Sequence, residues 1–158
     1  MNMTLDYLLA GAAIIATAVT TVVDAAGQSP AGESLSMIEI VQRLEKDGFG
    51  PFTELDMDAG KWEVEARKQD QPLELTVDPV SGNVLSEHRD DAEQAPPASA
   101  MVLSKLLQAV SDVGGYQNFD EVSFERRYWE IEVFKDGQKH ELHVDPMTAK
   151  VITDRIDD

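Results

Sequence analysis

Three histidines, His88, His140 and His143, are the side chains of this 158-residue sequence that could act as a neutral nitrogen base or metal ligand near pH 7. His140 and His143 stand three residues apart. On an extended chain successive side chains alternate between faces, so this odd spacing sends the two to opposite sides, where they cannot readily share one ion. The sequence has no cysteine, which removes disulfides, thiolate nucleophiles and Cys-ligated zinc together. No Ser, His and Asp grouping falls in a strand-and-turn context that would assemble a hydrolytic triad. Asp and Glu total 30, too many to single out an acid/base pair. Asp90, Asp91, Asp157 and Asp158 gather near two segment ends, without the loop signature that makes oxygens converge on calcium. The residue types thus predict no catalytic set, no metal site and no cofactor.

Charge narrows the partners. Against those acids stand 13 Lys and Arg, a formal net charge of −17. Phosphate binding needs clustered basic side chains, so nucleic acid is excluded as a partner and anionic membrane surfaces are disfavoured. A cationic partner would be attracted.

Those acids need elements to position them. Aligning Phe52 with Phe119 and running without a gap to Asp91 and Asp158 gives about fifteen identities over about forty positions, the mark of an internal duplication. "VDPVSGNV" at 77–84 returns as "VDPMTAKV" at 144–151. Upstream the register shifts by one, and Met37, Ile40, Val41 and Leu44 match Leu103, Leu106, Leu107 and Val110 as helical stripes. Ser36 with Glu39 predicts a capping box, Gly48 a stop, and Gly114-Gly115 the stop of the second helix. After each helix the apolar period falls to two. Trp62, Val64 and Ala66 alternate with Glu63, Glu65 and Arg67, and Trp129, Ile131 and Val133 with Glu130 and Glu132. Leu73, Leu75 and Val77, and Leu142 and Val144, continue the apolar phase. Asp58-Ala59-Gly60 and Asp136-Gly137 are hairpin turns.

The expected fold is therefore α+β: two tandem repeats, each one helix packed on an antiparallel sheet of three to four strands. Trp62 and Trp129 fall in the buried phase and anchor the cores. The opposite phase carries Glu63, Glu65 and Glu74 in one copy and Glu130, Glu132 and Glu141 in the other, with Lys61, Arg67, Lys139 and His143 nearby. This is the candidate partner-binding face, suited to a basic protein segment and secondarily to divalent cations. In the Val-Asp-Pro loops, Asp78 accepts backbone N–H bonds and Gly82 takes positive φ; Ala149 replaces that glycine in the second copy, at some cost in strain.

"KWEVEARKQDQPLELTVDPVSGNVLSEHRDD" and "YWEIEVFKDGQKHELHVDPMTAKVITDRIDD", each behind an apolar helix, resemble two tandem PepSY domains. This is a small module of protease propeptides and of exported or membrane-bound bacterial proteins. The resemblance implies a cystatin-like α+β module, a place outside the cytoplasm, no catalytic residues and a role in holding or inhibiting a peptidase or binding an envelope protein. A sensor or accessory domain binding a cation or small ligand is the alternative.

The uncharged run from Tyr7 to Val23, followed by Ala25 and Ala26, reads as a cleaved signal peptide, an uncleaved anchor or a buried helix. The first two place the rest in the periplasm, outside the cell or tethered outside the cytoplasm, with the membrane touched only through this segment if uncleaved. The expected organisation is 1–26 signal or anchor, 27–34 spacer, 35–91 first repeat, 92–99 linker and 100–158 second repeat.

Overall fold

The computed structural model describes residues 32–91 and 93–157; the signal or anchor reading of 1–26 lies outside them. Helix α1 (Met37–Lys46) is followed by β1 (Phe52–Asp58), β2 (Lys61–Lys68), β3 (Gln71–Val77) and β4 (Val84–Arg89). The series repeats as α2 (Leu103–Gly114), β5 (Gln117–Glu125), β6 (Tyr128–Lys135), β7 (Gln138–Val144) and β8 (Val151–Ile156).

The expectation of two separate sheets of three to four strands is corrected: all strands join one eight-stranded antiparallel sheet in the order β4-β3-β2-β1-β5-β6-β7-β8. The joint is the rung pair Glu54–Ser123 and Leu55–Val122 between β1 and β5. An unpaired edge leaves N–H and C=O groups without partners, and pairing the first strand of each repeat removes two such edges at once. Leu55 and Val122 are equivalent positions of the duplication and face each other directly. The two repeats are thus related by a pseudo-two-fold axis through that rung.

Local signals explain the helices. The Ser36 hydroxyl accepts from the Glu39 N–H at 3.3 Å while the Glu39 carboxylate accepts from the Ser36 N–H at 2.8 Å, a complete capping box. In α2, Val102 stands at the N-cap and offers no side-chain acceptor. Glu45 at the end of α1 replaces it, its carboxylate accepting from the Ser104 N–H at 3.1 Å and the Ser104 hydroxyl at 2.6 Å. The negative charge also lies at the positive end of the α2 dipole. Helix α1 packs against α2, and both helix stripes join the inward strand residues in one apolar core spanning the repeats. Trp62 and Trp129 are buried within it.

The Val-Asp-Pro loops hold the helix lead-ins. Asp78 accepts from the Ser81 N–H and hydroxyl, and Asp145 from the Met147 and Thr148 N–H groups and the Thr148 hydroxyl. These bonds, the side-chain hydroxyls first, hold both carboxyls below their ordinary range. The Pro79 and Pro146 carbonyls then accept from the Leu35 and Met101 N–H groups at 2.8 Å. The expected strain at Ala149 is present, at φ 57°.

Candidate binding face

Because both helices cover one side, the other side of the sheet carries the outward residues of all eight strands. The pairing lines them up in rows. One row runs His88, Glu74, Glu65, Glu54, Ser123, Glu130, His143, Thr153 from edge to edge. Beside it, Thr76, Glu63 and Asp56 continue across the axis toward Glu121, Glu132, Glu141 and Arg155. All six carboxylates singled out from sequence therefore share one face, and Glu54, Asp56 and Glu121 join them at its centre. These three lie in the same alternating phase; what alternation alone does not show is that the two first strands meet.

The charge balance differs between the halves. On the second repeat, Lys139 bridges Glu132 and Asp120, and hydrogen bonds to both raise its pKa. His143 lies 3.3 Å from both Glu130 and Glu141, and Arg155 bonds Glu141. Among the described residues no ion pair forms on β1 to β4. Burial, then repulsion from Glu65, Asp56, Glu121 and Glu93, pushes the Glu54 carboxyl up from 4.5 to about 7. Asp56, Glu63, Glu65 and Glu121 are raised too, burial first and neighbouring carboxylates second. Among the described residues no cation forms an ion pair with Glu54, Asp56, Glu63 or Glu65, while Lys139 on β7 acts on Glu121.

A scan against family models matches the peptidase propeptide and YPEB domain over residues 7–88 and again over 90–155. The chain belongs to this PepSY family. No curated protein sequence matches it. Among solved structures, a protein described as a candidate lipoprotein of Clostridium difficile 630 is similar at 15% identity and TM-score 0.44, over 76% of this chain and 90% of that one. A BLIP-like protein of Bacteroides fragilis NCTC 9343 is similar at 12% identity and TM-score 0.30, over 82% of this chain and 92% of that one.

Within this PepSY pair the remaining candidates are distributed as follows. His140 pairs with Val133 on the helix side and His143 with Glu130 on the open side, so the two point apart. His140 contacts the Asp154 carboxylate at 2.6 Å, and the Tyr116 hydroxyl donates to the same group at 2.6 Å. Burial opposes ionisation of Asp154, but these bonds outweigh it and hold the carboxyl below its ordinary value; burial and the bond to Asp154 push Tyr116 up to about 12. His88 faces Glu74 at the β4 edge. Two open grooves of 620 and 690 Å³ lie on the helix side at matching places, one beside Trp129, Leu103 and Phe52, the other beside Trp62, Met37 and Phe119. Both indole N–H groups are buried and have no hydrogen-bond partner among the described residues. No helix among the described residues is long and apolar enough to cross a membrane.

Proposed function

We propose that this PepSY pair is a non-catalytic binding module whose open sheet face takes a basic segment of a partner protein. The observation that carries the reading is the cluster of Glu54, Asp56, Glu63 and Glu65, none of them in an ion pair among the described residues, with Glu121 beside them, on a surface left bare by both helices. Lysine or arginine side chains laid across β1 and β2 supply the counter-charge that the fold lacks. Glu74, Glu130, Glu132 and Glu141 extend the face toward both edges. The family description names peptidase propeptides, so a peptidase restrained by the module is the first partner class to test, and a basic envelope protein the second. Both fit a module that works outside the cytoplasm.

Two measurements test this. A basic partner binding at pH 7 lowers the Glu54 pKa and releases protons, so calorimetric heats should depend on the buffer's ionisation enthalpy. Reversing Glu63, Glu65, Glu130 and Glu132 to Lys should leave the fold standing, since all four side chains reach solvent and charges at such a surface contribute only about 0–1 kcal/mol each. It should also abolish binding and the salt dependence of association. A partner that binds the reversed chain equally well, with no proton release from the native one, removes this face from consideration.

A further inference from the structure

On the second half of the face, the pairing of β6 with β7 sets Glu130 directly opposite His143, and Glu141 lies two residues before His143 on the same side. Three metal-binding groups from two adjacent strands thus meet above one point of the sheet. The His143 Nε2 atom is 3.3 Å from Glu130 Oε2 and 3.3 Å from Glu141 Oε1, and the three ligand atoms all lie within 4.8 Å of one another. Bonds of about 2.0–2.1 Å in tetrahedral directions put ligand atoms about 3.3 Å apart. Two edges of such a coordination shell are already at that separation, and the third, between the two carboxylates, is within 4.8 Å. We propose that Glu130, Glu141 and His143 form a site for one divalent transition-metal cation of the zinc class, with its fourth position open to water or to a group of a bound partner.

The imidazole sets the class. Calcium and magnesium take all-oxygen shells, whereas one imidazole with two carboxylates suits zinc and its neighbours. Tyr128 stacks on His143, with ring centroids 4.2 Å apart and planes 22° apart, so the ring is held in orientation. Arg155 supports the assignment and also competes with it. Its Nη2 lies 3.3 Å from His143 Nε2 and bonds Glu141 Oε1, placing a positive group against two of the three ligand atoms. A guanidinium N–H can only donate, so that contact suits an Nε2 lone pair, the form that ligates a metal, whereas the two carboxylate oxygens at 3.3 Å suit an Nε2–H. Arg155 is exposed and can swing into solvent when a cation takes its place. The first repeat carries Glu63, Glu74 and Thr76 at the matching positions; the histidine at 143 completes the set in the second repeat alone.

Zinc titration of the full chain at pH 7 against a chromophoric chelator tests the site without any partner, so its outcome is independent of the protein-binding reading. One equivalent should bind. His143→Gln and Glu141→Gln should each weaken uptake at least about tenfold. Arg155→Ala should tighten it, a gain that misfolding cannot imitate. With cobalt(II) as the probe, the visible absorption of bound metal should vanish in His143→Gln. Uptake that is unchanged in His143→Gln, or several weak equivalents spread over the acidic surface, overturns the proposal. So does an Arg155→Ala chain that binds zinc no better than the native one.

Discussion

Replacing Glu54 by Gln should stabilise this protein at pH 8 and leave it unchanged at pH 4.5. Glu54 sits where the repeats join, paired with Glu65 on one side and Ser123 on the other, with Asp56, Glu121 and Glu93 also acting on it. Its carboxyl is raised from 4.5 to about 7. A group raised on folding contributes its full stability below the unfolded value and loses it as pH rises through the folded one. The penalty of the ionised form therefore develops between pH 4.5 and about 7 and is complete at pH 8. Converted at 1.36 kcal/mol per unit, the shift sets an upper limit of about 3 kcal/mol; Glu54 is only part-buried, and solvent screening reduces this to about 1–2 kcal/mol. The amide keeps the shape and removes the charge. Urea unfolding followed by the fluorescence of the two buried tryptophans should show the variant more stable by that amount at pH 8, with Tm higher by about 3–8 °C. At pH 4.5 the two curves should coincide within about 0.5 kcal/mol. A variant no more stable than the native chain at pH 8, or one whose gain is the same at both values, refutes the claim that burial, with repulsion from neighbouring carboxylates added to it, penalises ionised Glu54 at this joint.

Two further substitutions probe the frame that carries the face. Glu45→Ala removes the acceptor shared by the Ser104 N–H and hydroxyl and should cost about 1–2 kcal/mol in denaturant unfolding, the loss of an N-cap, although Glu45 belongs to the other helix. Gly82→Ala should cost about 1–2 kcal/mol, because a Cβ there would lie 2.6 Å from the Arg43 side chain at a φ of 68°. In an Arg43→Ala background the same change should cost measurably less, since the backbone strain and a 3.2 Å approach to Leu35 Cδ1 are what remain.

Helices, hairpins and both buried tryptophans are legible in the sequence because each rests on a local signal: a 3.6 period, a capping box, a two-residue turn, strict alternation. Joining the repeats rests on no such signal. The two rungs at Glu54–Ser123 and Leu55–Val122 bring together residues nearly seventy positions apart, and nothing near either residue marks the strand as paired on its second side. The same blind spot hides the centre of the acidic face. Glu63, Glu65, Glu130 and Glu132 are identified from alternation with a tryptophan beside them, whereas Glu54, Asp56 and Glu121 matter because two first strands become neighbours. Alternation places His143 near Glu130 and Glu141 on this face, whereas its position directly opposite Glu130 is a cross-strand fact. The Glu45 cap of α2 is long-range too.

The duplication also supplies an internal control. Positions related by the pseudo-two-fold share a backbone environment, so differences between the copies isolate what side chains add. The helix side keeps its lysine over an aromatic ring in both, Lys68 on Phe49 and Lys135 on Tyr116. Around that ring the second copy replaces Phe49, Leu73 and Glu87 by the hydrogen-bonded Tyr116, His140 and Asp154. On the open side it replaces Pro72, Thr76 and His88 by Lys139, His143 and Arg155, and the lysine and arginine neutralise carboxylates that both copies carry. A symmetric frame therefore presents an asymmetric field. A basic partner segment gains most by lying across β1, β2 and the joint with β5, where each added positive charge relieves repulsion already present in the free protein. Over β6 to β8 it would have to displace Lys139 or Arg155 first. In the proposed binding mode, that gradient, running from β8 toward β2, directs a cationic partner to the first repeat.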